Sequence, residues 1–66
     1  MRIYVNGEVR EVSEGLTVIA VLAEIGIQKE RVAVELNLEI VPKAKIAETE
    51  LKDGDKLEIV SFVGGG

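Results

Sequence analysis

The strongest local constraint on the fold is the dipeptide Asn6-Gly7, which separates two short segments with strand character. Asn and Gly tolerate the positive φ angles that a two-residue type I′ turn requires at both of its central positions. Apolar and polar residues alternate from Met1 to Val5, and Glu8 to Val12 can return antiparallel. The expected facing pairs are Val5 with Glu8, Tyr4 with Val9, Ile3 with Arg10, and Arg2 with Glu11. The sequence therefore predicts an N-terminal β-hairpin in which Arg2 and Glu11 form a complementary cross-strand pair.

One amphipathic helix is predicted after this hairpin. Ser13-Glu14-Gly15 ends the second strand, and Thr17 is a suitable N-cap residue. Gly26 supplies the glycine that commonly follows the last turn of a helix. Between them, one helical face carries the apolar residues Val18, Val21, Leu22 and Ile25.

The second half of the chain contains three further strand signals. A strand is predicted from Arg31 to Leu36, with Val32, Val34 and Leu36 on one face, and a short one from Glu39 to Val41. Pro42 ends the short strand because proline cannot donate to a ladder. A less regular stretch is expected up to Leu51, followed by a turn at Asp53-Gly54-Asp55 and a last strand from Lys56 to Val63.

The order hairpin, helix, strand, short strand, final strand predicts an α+β fold. One helix can cover one face of a mixed sheet of four to five strands, which is the β-grasp (ubiquitin-like) arrangement. The crossover rule places the first and last strands side by side in the middle of the sheet. We expect one β-grasp domain over residues 1–63 and a flexible glycine tail over residues 64–66.

Composition limits what this chain can do. Its 66 residues leave little interior for a deep active site, because a domain of this size buries only about 60% of its unfolded surface. With neither Cys nor His, common nucleophile and base arrangements cannot be built, and no acidic spacing resembles a calcium loop. We therefore expect no catalytic residues and no metal site.

The charge and hydropathy of the chain indicate which partners to expect. A net charge of −4 opposes nucleic acid and anionic lipid surfaces. The longest apolar run has six residues, far fewer than the roughly 20 that span a bilayer, and the N-terminus lacks signal-peptide character. We expect a soluble cytoplasmic protein.

The tail Gly64-Gly65-Gly66 is the most suitable reactive segment. Glycine is poorly suited to stabilising a strand or helix, yet it can thread a narrow channel and bring a terminal carboxylate to a buried centre. That carboxylate needs activation, and attack on an ATP α-phosphate would give an acyl-adenylate. A frayed end or a linker remnant explains three glycines equally well on composition alone.

Several segments of the chain resemble the thiamine-biosynthesis sulfur carrier family, ThiS. They are Tyr4-Val5-Asn6-Gly7-Glu8, Gly15-Leu16-Thr17-Val18, Val34-Glu35-Leu36-Asn37 with Val41-Pro42, and Asp53-Gly54-Asp55 leading into Glu58-Ile59-Val60-Ser61-Phe62-Val63-Gly64-Gly65-Gly66. Their order and spacing cover the whole chain, and the final segment is the most specific part.

The resemblance implies that the chain is a carrier and not an enzyme. Gly66 would be adenylated by a ubiquitin-activating-enzyme-like adenylyltransferase, which consumes ATP, and then converted to a thiocarboxylate with sulfur from a donor protein. The thiocarboxylate would pass its sulfur to thiazole synthase, with no cofactor stably bound to the carrier. The terminal Gly65-Gly66 matches the defining feature of the family, whereas Gly64 is a more variable position with a flexibility role.

Strand parity predicts a partner-binding surface independently of the resemblance. If Ile3 and Val5 face the helix, the opposite face carries one apolar patch that leads to the tail, formed by Tyr4, Val9, Val60 and Phe62. Each residue taken singly is also consistent with an ordinary half-exposed sheet position. A bulge in the second strand would instead turn Val9 inward.

Three other functions remain open on the sequence. The sulfur carrier of molybdopterin synthesis shares the fold and the terminal Gly-Gly, and a protein modifier that forms isopeptide bonds needs the same tail. A plain binding module would use no covalent chemistry.

Overall fold

The computed structural model describes residues 1–62, so Val63 and the predicted tail Gly64–Gly66 lie outside the described residues. The elements in chain order are β1 (Arg2–Val5), β2 (Glu8–Glu11), α1 (Val18–Ile25), a 3₁₀ turn (Lys29–Arg31), β3 (Val32–Leu36), β4 (Glu39–Ile40), α2 (Lys43–Ile46) and β5 (Lys56–Ser61). The strands form one mixed sheet in the order β2-β1-β5-β3-β4. This is the predicted β-grasp architecture, with five strands and one main helix.

The hairpin has the predicted register. Arg2 faces Glu11, Ile3 faces Arg10, Tyr4 faces Val9 and Val5 faces Glu8. The turn has positive φ at both central residues, 50° at Asn6 and 84° at Gly7, as a type I′ loop requires. The predicted cross-strand pair is also present, because Arg2 Nε donates to Glu11 Oε2 at 2.9 Å. No bulge occurs in β2, so Val9 stays outward.

Strand β5 is the central strand of the sheet. It runs parallel to β1, with Tyr4 beside Lys56 and Val5 beside Leu57, and antiparallel to β3 from Val32–Ser61 to Leu36–Leu57. The adjacency of first and last strands predicted from the crossover rule is therefore confirmed. Because β5 lies in the middle, the chain leaves the sheet from its interior and not from an edge.

The helix α1 begins and ends where the sequence predicts. The Thr17 side chain accepts a hydrogen bond from Ala20 N at 3.3 Å, and Gly26, at φ 89°, donates to the carbonyls of Leu22 and Ala23. The buried helical residues pack with the inward residues of β1, β3 and β5 to form the core: Ile3, Val5, Val18, Val21, Leu22, Val32, Val34, Leu57 and Ile59, joined by Val12, Ile46 and Leu51. Ile25 is only half-buried.

The register of the hairpin places Glu8 and Arg10 on the helix side of β2, which requires β2 to lie at the sheet edge. The structure meets this requirement, since β2 is the outermost strand next to β1. Arg10 Nη2 lies 4.0 Å from Glu24 Oε1 of α1, in a pair that remains about half exposed. The cost of turning a charged residue inward is thereby avoided.

Several predicted boundaries are wrong by one or two residues, and two elements, the 3₁₀ turn and α2, were not predicted. β5 ends at Ser61, although Phe62 N still donates to Arg31 O at 2.9 Å. β3 begins at Val32, because Arg31 belongs to the 3₁₀ turn. The stretch predicted as irregular contains the four-residue helix α2, whose Ile46 enters the core. A single turn carries one buried residue, too few to produce a helical period in the sequence.

Candidate functional site

The candidate site begins with the outer face of the sheet, the face opposite α1. In β5, Leu57 and Ile59 are buried whereas Glu58 and Val60 are exposed, as the predicted parity requires. Tyr4, opposite Val9, is half-buried on the same outer face. Val9, Val60 and Phe62 are 55%, 61% and 54% exposed. These three large apolar side chains are among those that the domain leaves accessible on its outer face.

The register divides these residues into two groups and corrects the prediction of one continuous patch. Tyr4 lies beside Lys56, and Val60 lies four positions further along β5, a distance of about 13 Å at the rise of a β-strand. The exposed side chain of Glu58 stands between Lys56 and Val60 on that face. Tyr4 and Val9 therefore form one apolar pair, and Val60 belongs to a different area near the end of β5.

Val60 is grouped instead with residues of β3 and β4. It pairs directly with Ala33, and Ile40 pairs with Glu35, which places Ile40 on the outer face as well. Ile40 is 75% exposed. We call Ala33, Ile40, Val60 and Phe62 the C-terminal patch. Sequence reasoning missed Ile40, although it lies in the short strand predicted from Glu39 to Val41.

Phe62 is the last described residue and is held by two neighbouring elements. Its amide donates to Arg31 O at 2.9 Å, which extends the β3–β5 ladder beyond β5. Its ring centroid lies 5.0 Å from Nζ of Lys43, the first residue of α2. Phe62 of the C-terminal patch is thus held through both its backbone and its ring.

Two carboxylates also lie beside this patch on the outer face. Glu35 and Glu58 face each other directly across β3 and β5. Like charges at directly opposed positions destabilise a sheet, which makes this arrangement unfavourable in the isolated domain. Within residues 1–62, neither carboxylate belongs to an ion pair; those formed are Arg2–Glu11, Arg10–Glu24 and Lys45–Glu48. A basic partner surface would relieve this repulsion.

The aspartates of the last turn have structural roles. Asp53 Oδ1 accepts from Arg2 N at 2.7 Å, and Asp55 accepts from Lys52 N at 2.8 Å. Gly54 has φ 88°, as expected for the predicted turn. Away from the tail, the pKa of Arg2 is raised above its usual value, first by its hydrogen bond to Glu11 and then by the charge of Glu11.

Residues 1–62 lack the buried polar side chains and the acidic cluster from which an enclosed reaction site could be built. Over residues 1–62, no polar or charged side chain is buried, and no group of three or more acidic side chains is placed to hold a metal ion. Among the helices of this part of the chain, none is long and apolar enough to cross a membrane. The predicted reactive residue, Gly66, and the tail residues Gly64 and Gly65 lie outside the described residues.

Known proteins resemble this chain over its full length. A model of the ThiS family matches residues 3–66. The sulfur carrier protein ThiS of Thermus thermophilus is 39% identical over 64 residues, which are 97% of this chain and 98% of that protein. A crystal structure of a thiamine biosynthesis protein (ThiS) from Geobacter metallireducens matches with a TM-score of 0.84 at 39% identity, and the match covers 100% of both chains.

A second kind of relative is much longer. A thiazole synthase of Paramagnetospirillum magneticum is 54% identical over 66 residues, which are 100% of this chain and 20% of that protein. This chain therefore spans only a fifth of the length of that relative.

Proposed function

This chain belongs to the ThiS family, and we propose that it is a sulfur carrier for thiamine biosynthesis whose working group is the carboxylate of Gly66. The observation that carries the proposal is the central position of β5. The chain leaves the middle of the sheet beside an exposed apolar patch, four residues before Gly66. This arrangement suits a domain that docks by one face while its end enters a partner.

The proposed chemistry has two steps. A carboxylate oxygen of Gly66 attacks the α-phosphorus of ATP, the bond to pyrophosphate breaks, and an acyl-adenylate forms. A hydrosulfide or an equivalent sulfur nucleophile then attacks the acyl carbon, and AMP leaves as the C–S bond forms. The product is a C-terminal thiocarboxylate. Sulfur is more polarisable than oxygen, which makes this group a better nucleophile than the original carboxylate.

Both steps are assigned to partner enzymes. The chain contains no Cys and no His, so the carrier itself would be acted upon and would not catalyse the reaction. An adenylyltransferase related to ubiquitin-activating enzymes would bind ATP, and a sulfur donor protein would supply the sulfur. No stably bound cofactor is needed on the carrier.

Thiazole synthase is the proposed acceptor of the sulfur. Support comes from the relative named thiazole synthase, in which a segment 54% identical to this chain makes up 20% of the polypeptide. A carrier and an acceptor that act in sequence benefit from such linkage, because a tether raises the effective concentration of one at the other.

The C-terminal patch is the proposed docking surface for these partners. Ile40, Val60 and Phe62 present accessible apolar area next to the exit of the tail. The opposed Glu35 and Glu58 beside them favour a partner surface that places a basic side chain between the two carboxylates. The Tyr4–Val9 pair lies beside the start of β5, further from Phe62, and would contribute less.

The test is intact-mass analysis after incubation with ATP, a ThiS-activating adenylyltransferase and sulfide. We expect a mass gain equal to the exchange of one oxygen for sulfur, and none when ATP is omitted. The Thermus thermophilus ThiS serves as the positive control. If the control is converted and this chain is not, the carrier function is wrong.

Two further observations separate the related functions. Conjugates to lysine side chains in a cell extract would identify a protein modifier instead. Transfer of sulfur to molybdopterin synthase, with none to thiazole synthase, would identify the molybdopterin-pathway carrier.

A further inference from the structure

The side chain of Lys43 joins three elements at the point where the chain leaves the sheet. Lys43 is the first residue of α2. Its Nζ donates a hydrogen bond to Val32 O of β3 at 3.0 Å and lies 5.0 Å from the ring centroid of Phe62. One ammonium group therefore contacts both β3 and Phe62, the residue that follows β5.

The carbonyl of Val32 is available because β4 is short. Arg31 O accepts from Phe62 N on the β5 side of β3, whereas Val34 O accepts from Val41 N on the opposite side. Val32 O points to this second side, beyond the end of β4 at Ile40. The residue that would continue the ladder opposite Val32 is Lys43, which instead begins α2. The side chain of Lys43 supplies the missing donor in a partly buried hydrogen bond.

The same ammonium lies within the distance at which a cation is attracted to an aromatic ring. Phe62 is 54% exposed and would otherwise be free to change its rotamer on the surface. Its amide is already fixed by Arg31 O at 2.9 Å. With the backbone held on one side and the ring held by Lys43, both the position and the orientation of Phe62 are restrained.

We propose that Lys43 is a positioning residue that holds the Phe62 ring in the orientation in which the C-terminal patch meets a partner. This inference rests on the proposed carrier function, because the patch is the docking surface assigned to the carrier's partners. A pre-oriented Phe62 reduces the conformational freedom that is lost on docking. Lys43 thus improves docking without touching the reacting carboxylate.

The first test is Lys43→Met, which keeps the length of the aliphatic chain and removes the charge and the donor. We expect the carrier's KM in the adenylation reaction to rise about 2- to 5-fold, the range of one exposed cation–π contact. The kcat is expected to stay near the wild-type value, because the lost contact with the Phe62 ring affects binding and not the chemical step. Lys43→Arg should restore the wild-type KM, since a guanidinium also donates and stacks on aromatic rings.

Lys45→Met is the matched control. Lys45 lies in the same helix, and its Nζ bonds to Glu48 Oε1 at 3.3 Å on the exposed side of α2. The variant loses the same charge but leaves the contacts to Val32 and Phe62 intact. Its KM should equal that of the wild type, and urea unfolding of both variants checks that the domain remains folded. A KM for Lys43→Met equal to that of Lys45→Met would overturn the proposal.

A double-mutant cycle with Phe62→Leu separates positioning from direct partner contact. If Lys43 acts through the ring, Lys43→Met should add nothing to the KM of the Phe62→Leu variant. If Lys43→Met raises the KM equally in both backgrounds, Lys43 contacts the partner itself and the proposal is wrong.

A readout on the free carrier tests the contact without any partner. Amide hydrogen exchange of Phe62 should accelerate in Lys43→Met and stay unchanged in Lys45→Met, because the exchange rate reports local opening. Unchanged exchange in Lys43→Met would contradict the proposal even if the KM rose. Failure of the wild type to be adenylated would instead refute the carrier function, while the exchange experiment would still report on the contact.

Discussion

The side-chain amide of Asn6 pairs with the backbone of Ile59 in the way that a peptide group of a neighbouring strand would. Ile59 N donates to Asn6 Oδ1 at 2.7 Å, and Asn6 Nδ2 donates to Ile59 O at 3.1 Å. β1 ends at Val5, so it offers no backbone partner to Ile59 of β5. Asn6 therefore has two roles: it accepts the positive φ of the turn and it continues the ladder between β1 and β5.

We expect Asn6→Gly to lower the free energy of unfolding by about 1–3 kcal/mol, the cost of leaving partly buried polar groups unpaired. Glycine keeps the φ of 50° without strain, so the loss reports the side-chain amide and not the turn. Urea denaturation measures the change. The free energy of unfolding of Asn6→Asp should fall between those of the wild type and Asn6→Gly, because a carboxylate can accept from Ile59 N but cannot donate to Ile59 O. An Asn6→Gly variant as stable as the wild type would show that water replaces these hydrogen bonds at no cost.

Leu38 occupies a backbone conformation that favours glycine. Its φ is 73°, it follows Asn37 at φ 51°, and its side chain is 87% exposed. The left-handed conformation costs a branched residue roughly 1–2 kcal/mol, and no packing contact offsets this cost at such exposure. We expect Leu38→Gly to stabilise the domain by about 1 kcal/mol in urea unfolding.

The control for this prediction is Leu38→Ala, which removes the same exposed side chain and keeps the backbone strain. It should change stability by less than about 0.5 kcal/mol, as most surface substitutions do. Equal stabilities of the Gly and Ala variants would mean that the turn is not strained.

A glutamate introduced into either of the two apolar areas of the outer face should affect partner binding differently. We expect Val60→Glu to raise the KM for adenylation about 10-fold or more, as expected when an interface anchor worth over 1 kcal/mol is lost. Val9→Glu is the matched substitution in the Tyr4–Val9 pair and should leave the KM near that of the wild type. Both valines are more than half exposed, so neither change should unfold the domain. Equal effects at the two positions would indicate that the partner covers the whole outer face.

Deletion of Gly66 is expected to abolish the sulfur-dependent mass gain and to leave the free energy of unfolding unchanged. Ile59, the last buried residue of the described core, lies seven positions before Gly66, and glycine has no side chain to add to a core, so we expect no loss of stability. Intact mass and urea unfolding measure the two quantities on the same sample. Gly64→Ala should still be converted, because Gly64 is assigned flexibility and not the reacting group. Loss of folding on deletion of Gly66 would refute its assignment as a tail residue.

The amino-acid sequence by itself determined the hairpin and its register, the helix and the order of elements. Asn6-Gly7, Thr17 and Gly26 act on their immediate neighbours, and alternation assigns each strand residue to a face. Such local rules are readable without knowing the neighbours in space. The glycine tail and the family resemblance are likewise properties of the sequence.

Tertiary structure alone decided which exposed residues lie together. Tyr4 and Val60 share a face, but the parallel register of β1 and β5 separates them, and the β3–β4 hairpin brings Ile40 near Val60 instead. Asn6 and Ile59 are 53 positions apart, and Lys43 reaches Phe62 from a helix of a single turn. These contacts depend on the position of one element along another. Packing of the whole core fixes that position, and no local sequence pattern encodes it.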